Sequence, residues 1–153
     1  MSIMTSLNIS ASGMTAQRTR MDIIAQNVAN VNTTRDENGD PYRRQTVVFE
    51  ERAAYNRNFE SYLTAQKTGL SYNPQVGSGV KISAIAEDHV TSMKKVYEPG
   101  NPDADEDGYV TYPNVNTVTE MTNLIDASRS YEANVTAFNA TKNMALKGLE
   151  LGK

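Results

Sequence analysis

Cysteine and tryptophan are both missing from this chain, and it carries only one histidine, His89, and three phenylalanines. The lack of cysteine rules out disulfides, thiolate nucleophiles and thiolate metal sites. A single histidine leaves no second imidazole for a relay or a zinc cage, and His89 reads as an exposed loop residue. No apolar run approaches the roughly 18–20 residues that a helical membrane span needs. The N-terminus has no basic leader, and Arg18 and Arg20 interrupt the one stretch that could serve as a signal-peptide core. We therefore expect no cleavable signal and no direct membrane span. Basic residues are scattered and the net charge is −3, so the electrostatic footprint of a nucleic-acid binder is absent.

Hydrophobic residues make up 39% of the 153 positions, and the mean hydropathy is −0.55. That is rich enough to fold and lean for a tightly packed globule. An elongated protein whose apolar stripes need partners fits this balance.

The stripes lie at the two ends. Over residues 3–31, Leu7, Met14, Met21 and Val28 recur every seven residues, flanked by Ile3, Met4, Ala11, Ile24, Ala25 and Val31. Over 118–149, Met121, Val135 and Leu149 form one row, and Leu124, Tyr131, Phe138 and Ala145 the next. Ile125 and Leu146 broaden the second stripe. Heptad spacing keeps one seam of a helix facing a partner helix. Ser2 is placed to cap the first helix and Asn27–Asn32 to stop it. Gly13 inside it costs about 1 kcal/mol relative to Ala, and with Ala11, Ser12, Ala16 and Ala25 it lets another helix approach closely. The second helix opens on Thr117-Val118-Thr119-Glu120, the spacing of a capping box. At 1.5 Å per residue it would be ~48 Å long. Lys142, Lys147 and Lys153 sit toward its C-terminal end, where the helix dipole favours cations.

Between the stripes the pattern breaks. Asn38-Gly39 and Asp40-Pro41 are turn signals ahead of the β-rich run Gln45–Phe49. Residues 53–75 show no period and read as a long loop or arm. After Gly77-Ser78-Gly79, which lacks the lysine and the following helix of a phosphate loop, Val80, Ile82 and Ala84 alternate as a half-buried strand should. Val90–Tyr97 and Gly108–Tyr112 are further strands, joined by the acidic loop 98–107. The expected fold is mainly α with a small β insert: long N- and C-terminal helices pair as a coiled coil around a β-hairpin-rich middle. Its parts are 1–35, an N-terminal helical segment; 36–116, the insert; and 117–153, a C-terminal helical segment.

One segment imitates a metal site. Asp103, Asp105 and Asp107 with Gly108 match the opening of a calcium loop. Position twelve would be Asn114 instead of Glu, and Pro102 and Pro113 stand where helices should flank the loop. A hairpin turn accounts for the same residues, so the three aspartates are weak metal candidates. No cofactor is expected. Asn134-Val135-Thr136 and Asn139-Ala140-Thr141 have the spacing of glycosylation acceptors but fall on the predicted helix surface.

The stripes allow two arrangements. They could pack only against each other within one subunit, or carry contacts between subunits as well. Their breadth and the methionines of the first favour the second, because Met adapts to varied partners and each apolar side chain left in water forgoes about 1.5–3 kcal/mol. Leu7, Met14, Met21, Ile24, Val28, Met121, Leu124, Ile125, Tyr131, Val135, Phe138, Leu146 and Leu149 are the candidate assembly residues. A calcium-binding module and a soluble helical adaptor are the alternatives.

The residues themselves resemble a known family. Ala11-Ser-Gly-Met-Thr-Ala-Gln-Arg18 through Asn27-Val-Ala29-Asn30-Val-Asn32-Thr33 is similar to the N-terminal signature of bacterial flagellar axial proteins, the rod and hook group. Tyr97-Glu-Pro-Gly-Asn-Pro-Asp-Ala-Asp105, Gly108-Tyr109-Val110, Tyr112-Pro113-Asn114-Val115-Asn116, Glu120-Met121 and Ala127-Ser-Arg129-Ser-Tyr131-Glu-Ala-Asn134 resemble its basal-body rod members. Glu98 and Asn101 depart conservatively from the Asp and His usual there. The resemblance implies a structural, non-enzymatic subunit of the proximal rod that polymerises helically in the periplasm. Its partners would be copies of itself, other rod proteins and the base ring. It would leave the cytoplasm unfolded through the flagellar type III export apparatus.

Overall fold

The computed structural model of the chain describes residues 3–36, 39–52 and 77–151. In chain order the elements are α1 (Ile3–Ala29), β1 (Gln45–Glu51), β2 (Val80–Glu87), β3 (Lys94–Tyr97), β4 (Tyr109–Tyr112) and α2 (Thr117–Leu151). Two helices at the ends and two small antiparallel strand pairs between them match the expected class. The long loop anticipated at 53–75 and the cap at Ser2 lie outside the described residues.

The helices pack antiparallel. Asn27 near the end of α1 reaches Glu120 at the start of α2, with Nδ2 3.1 Å from Oε2. Fourteen residues back along α1, Gly13 faces Asn134, fourteen residues on along α2, so the register is constant. A Cβ on Gly13 would fall 2.7 Å from Asn134 Oδ1. The glycine that weakens the helix is thus a point where the second helix comes close.

Burial on α1 does not follow the predicted row. Leu7, Met14, Met21 and Val28 are half-buried, whereas Ser10, Ala16, Ile23, Ile24 and Asn27 are buried. The reason is that α1 touches α2 on one side and both β1 and β2 on another. Burial spreads around such a helix instead of tracking a single seam. On α2 the inward row is Glu120, Ala127 and Asn134, spaced by seven; Glu120 and Ala127 are buried.

β1 and β2 pair antiparallel from Gln45↔Glu87 to Glu51↔Val80, with a register shift between Val48 and Phe49. Both strands were legible as runs; their pairing across the 52–79 segment was not. β3 and β4 form the anticipated hairpin, Lys94↔Tyr112 to Tyr97↔Tyr109. It starts later than Val90 because the Val90 and Thr91 amides both donate to Asp88 Oδ1 at 2.9 Å, a turn that precludes ladder bonds. At its far end Gly108 has φ +80°, and a Cβ there would stand 3.0 Å from the Tyr97 ring. Tyr97 and Tyr109 stack edge to face, 5.3 Å between centroids.

The start of α2 departs from expectation. Asn116, and not Thr117, caps it: the Val118 and Thr119 amides donate to Asn116 Oδ1 at 3.0 and 3.3 Å. Glu120 does not reach back to complete a capping box. Its carboxylate turns inward to Arg44 at 2.8 Å, where a charge-assisted contact outweighs a single cap bond.

Candidate assembly site

Asn27 is fully buried, and every polar atom of its amide is used. Nδ2 donates to the Gln45 carbonyl at 2.8 Å and to Glu120 Oε2. Oδ1 accepts the Gln45 amide and the Tyr42 hydroxyl, both at 2.9 Å. The side chain thereby imitates a neighbouring strand for Gln45 and ties α1 to β1. An unmade bond here would leave the full desolvation cost of a buried amide.

Glu120, 1% exposed, receives Arg44 through Nε at 2.9 Å and through Nη2, both on Oε1. The backbone of Arg44 continues the network. Its amide donates to Asn114 Oδ1 at 2.9 Å, and its carbonyl accepts the Asp88 amide at 2.8 Å. Asn114 Nδ2 in turn donates to the Asp88 carbonyl at 2.9 Å. Helix α1, strand β1, the turn after β2, the residues before α2 and α2 itself meet in this one polar knot.

Burial raises the Tyr42 phenol above its ordinary value of 10.0, helped by the Glu120 and Glu87 carboxylates. Above pH 10 the unfolded chain gives up a proton that the folded one keeps. The stability Tyr42 contributes is therefore complete below pH 10 and is lost as pH rises through the raised folded value. Tyr42→Phe is expected to flatten this alkaline decline in a series of urea denaturations. An unchanged slope would mean that Tyr42 is not its source; the Tyr112 phenol is raised too, chiefly by its bond to Glu98.

A second tie holds the insert to the segment after α1. Asp103 accepts Thr34 Oγ1 at 2.7 Å and pairs with Arg35 at 3.0 Å. Asp105 Oδ1 accepts the Asp107 and Tyr109 amides at 3.2 and 2.8 Å, closing the hairpin turn. The calcium-like aspartates are thus engaged in different contacts, and no group of three or more metal-ligating side chains forms among the described residues. His89 lies exposed, 3.7 Å from Glu87.

The candidate assembly residues divide. Ile24 is buried inside the chain, and Leu7, Met14, Met21, Val28, Tyr131, Val135 and Phe138 are half-buried. Met121, Leu124, Ile125, Leu146 and Leu149 are exposed. Val118, not among the candidates, is 74% exposed, and with Met121 and Ile125 it forms one outward helical face. Of the family-signature residues, Asn27 and Asn114 belong to the knot. Asn30 holds Thr33, its Oδ1 accepting the hydroxyl at 3.1 Å; Pro113 is buried and Gly108 makes the hairpin turn. Ala29, Asn32, Tyr109 and Arg129 are exposed.

Sequence reasoning missed Arg44 and Tyr42 and misassigned Glu120. One signal was available: Glu120 shares a seven-residue row with Ala127 and Asn134, so a carboxylate stood on the inward stripe and required a buried cation.

Comparison with known proteins places these features. Residues 7–35 match the family described as flagella basal body rod protein. Residues 106–151 match that described as flagellar basal body rod FlgEFG protein C-terminal. The chain is 48% identical over 152 residues to the flagellar basal-body rod protein FlgC of Bacillus subtilis, covering 97% of each. It is 39% identical to that of Borreliella burgdorferi, over 99% of this chain and 98% of the relative. It is 40% identical to that of Salmonella typhimurium over the whole of both. The matched regions are the two helices and the end of the hairpin, with the knot binding them together. The chain belongs to the FlgC family of flagellar basal-body rod proteins.

Proposed function

We propose that this chain is a structural subunit of the bacterial flagellar basal-body rod, joined to its neighbours through its terminal helices. The observation that carries the reading is the outward face of Val118, Met121 and Ile125 beside Leu124. These side chains stay in water although both helices are already packed on each other. An apolar row of this kind on a folded helix marks an interaction surface.

In this reading the helix pair forms coiled-coil layers with the helices of neighbouring subunits. The insert, 36–116, braces the helical segments 1–35 and 117–153. Copies of the chain, other rod proteins and the base ring are the neighbours, and the rod spans the periplasm as a torque-transmitting shaft. The work is packing, not turnover. The lack of cysteine supports passage through the type III export apparatus, since no crosslink can form before assembly.

Met121→Asp with Ile125→Asp tests the surface. Exposed substitutions of this kind leave folding stability within about 0.5 kcal/mol, so melting of the purified chain should barely change. In its own bacterium the variant should be exported, be absent from purified basal bodies, and leave the cells non-swimming. A complete, rotating flagellum built from it would show that this face makes no contact.

A further inference from the structure

The two ends of the helix pair differ in a complementary way. The register that sets Gly13 against Asn134 places Ile3 level with Met144. Beyond that level α2 runs on to Leu151, with Leu146 and Leu149 one turn apart and Leu149 72% exposed. Glu150, paired with Lys147 at 2.8 Å, adds a carboxylate to this projecting end.

The opposite end is hollow. A cleft of about 620 Å³ opens between the turn after α1, the β3–β4 hairpin and the first turn of α2. Val31, Val96, Val115 and Val118 give it apolar walls, and Lys94 and Glu98 also line it. Glu98 is engaged by the Tyr112 hydroxyl and Asn101. Lys94 has no ion-pair partner among the described residues. The cleft thus offers valines and the Lys94 ammonium, and the projecting end of α2 offers leucines and a carboxylate.

We propose that the α2 end of one copy seats Leu146 and Leu149 in the valine-lined cleft of a second copy, with Glu150 meeting Lys94. This rests on the assembly reading above and names one of its contacts. Because the two surfaces are different and lie at opposite ends of the molecule, the contact is heterologous. Such a contact repeats head to tail from copy to copy, as a ring or an open array. The apolar end satisfies the burial term and the charge pair fixes the orientation.

The chain has no cysteine of its own, so crosslinking reads the contact cleanly. The full chain carrying both Val118→Cys and Leu149→Cys, treated with a short bifunctional maleimide, is expected to give a ladder of covalent multimers. Either single variant alone should give no crosslinked product, and a mixture of the two should stop at a dimer. A single variant that crosslinks to itself would mean a symmetric contact, and a double variant that stays monomeric would mean none; either result overturns the proposal. Leu149→Asp in cells separates this failure from failure of the assembly reading. Loss of the variant from basal bodies without any ladder in solution would retain the rod role and remove the copy-to-copy contact. Normal incorporation of Leu149→Asp and of Met121→Asp with Ile125→Asp would remove both.

Discussion

Arg44→Ala is expected to lower the stability of the chain by about 3–5 kcal/mol, the range for breaking a buried ion pair from one side. Removing the guanidinium leaves Glu120, 1% exposed, with the Asn27 and Asn123 amides alone. A carboxylate so placed has lost the cation that offset its burial. The loss is a large part of the roughly 5–15 kcal/mol that holds an ordinary domain together. Melting should fall on the order of 10 °C for a chain of this size. Arg44→Met with Glu120→Leu should recover much of the loss, because a buried pair replaced as a whole by apolar groups leaves no orphan charge. Lys81→Ala, which breaks the exposed pair with Glu50 at 3.1 Å, is the control and should cost at most about 1 kcal/mol. If Arg44→Ala and Lys81→Ala melt together, the knot does not hold the elements in the way its geometry states.

The same residues show what could be read from the sequence. The terminal helices were legible because apolar residues repeat at helical spacing over more than twenty positions. The strands at 45–51 and 80–87 were legible in part, the first as the β-rich run Gln45–Phe49 and the second as the alternation of Val80, Ile82 and Ala84. Their pairing was not, since alternation says which face is buried and nothing about which strand lies alongside. Asn27 looked like a helix stop, because asparagine favours such positions. Its actual partners come from Gln45 and Glu120, 18 and 93 residues away, a distance no local pattern reports. Glu120 was misread for the opposite reason. The Thr-x-x-Glu spacing offered a local explanation, and a tertiary contact to Arg44 overrode it. The resemblance to the rod family pointed to Asn27 and Asn114 without saying why; the structure supplies the reason, since Asn27 is satisfied by Tyr42, Gln45 and Glu120, and Asn114 by the Arg44 amide and the Asp88 and Thr91 carbonyls.

Gly79→Ala should be the most damaging added methyl among the described glycines. Gly79 has φ +108°, a backbone conformation that an alanine reaches only at a cost of about 1–3 kcal/mol. There is also no room for the added carbon. It would overlap Ser12 Oγ and stand 3.4 Å from Ile9 Cα on α1. The approach is close because the Val80 amide donates to Ser12 Oγ at 3.1 Å, while that hydroxyl donates to the Ile9 carbonyl at 2.7 Å. Pushing β2 off α1 forfeits this bond, about 1 kcal/mol more, and uncovers the α1 face that the ribbon shields. Ser12→Ala together with Gly79→Ala separates the two penalties: it removes the overlapping oxygen and leaves the backbone strain. The double variant should therefore remain less stable than Ser12→Ala alone. Faster hydrogen exchange at Val80 would locate the damage at the start of β2. A Gly79→Ala chain within about 0.5 kcal/mol of wild type would mean that β2 does not rest on α1 at this point. The expected consequence in cells follows from where the strain sits. The outward face of α2 is untouched, so rod incorporation should fail only at temperatures that unfold the variant, whereas Met121→Asp with Ile125→Asp should fail at all of them.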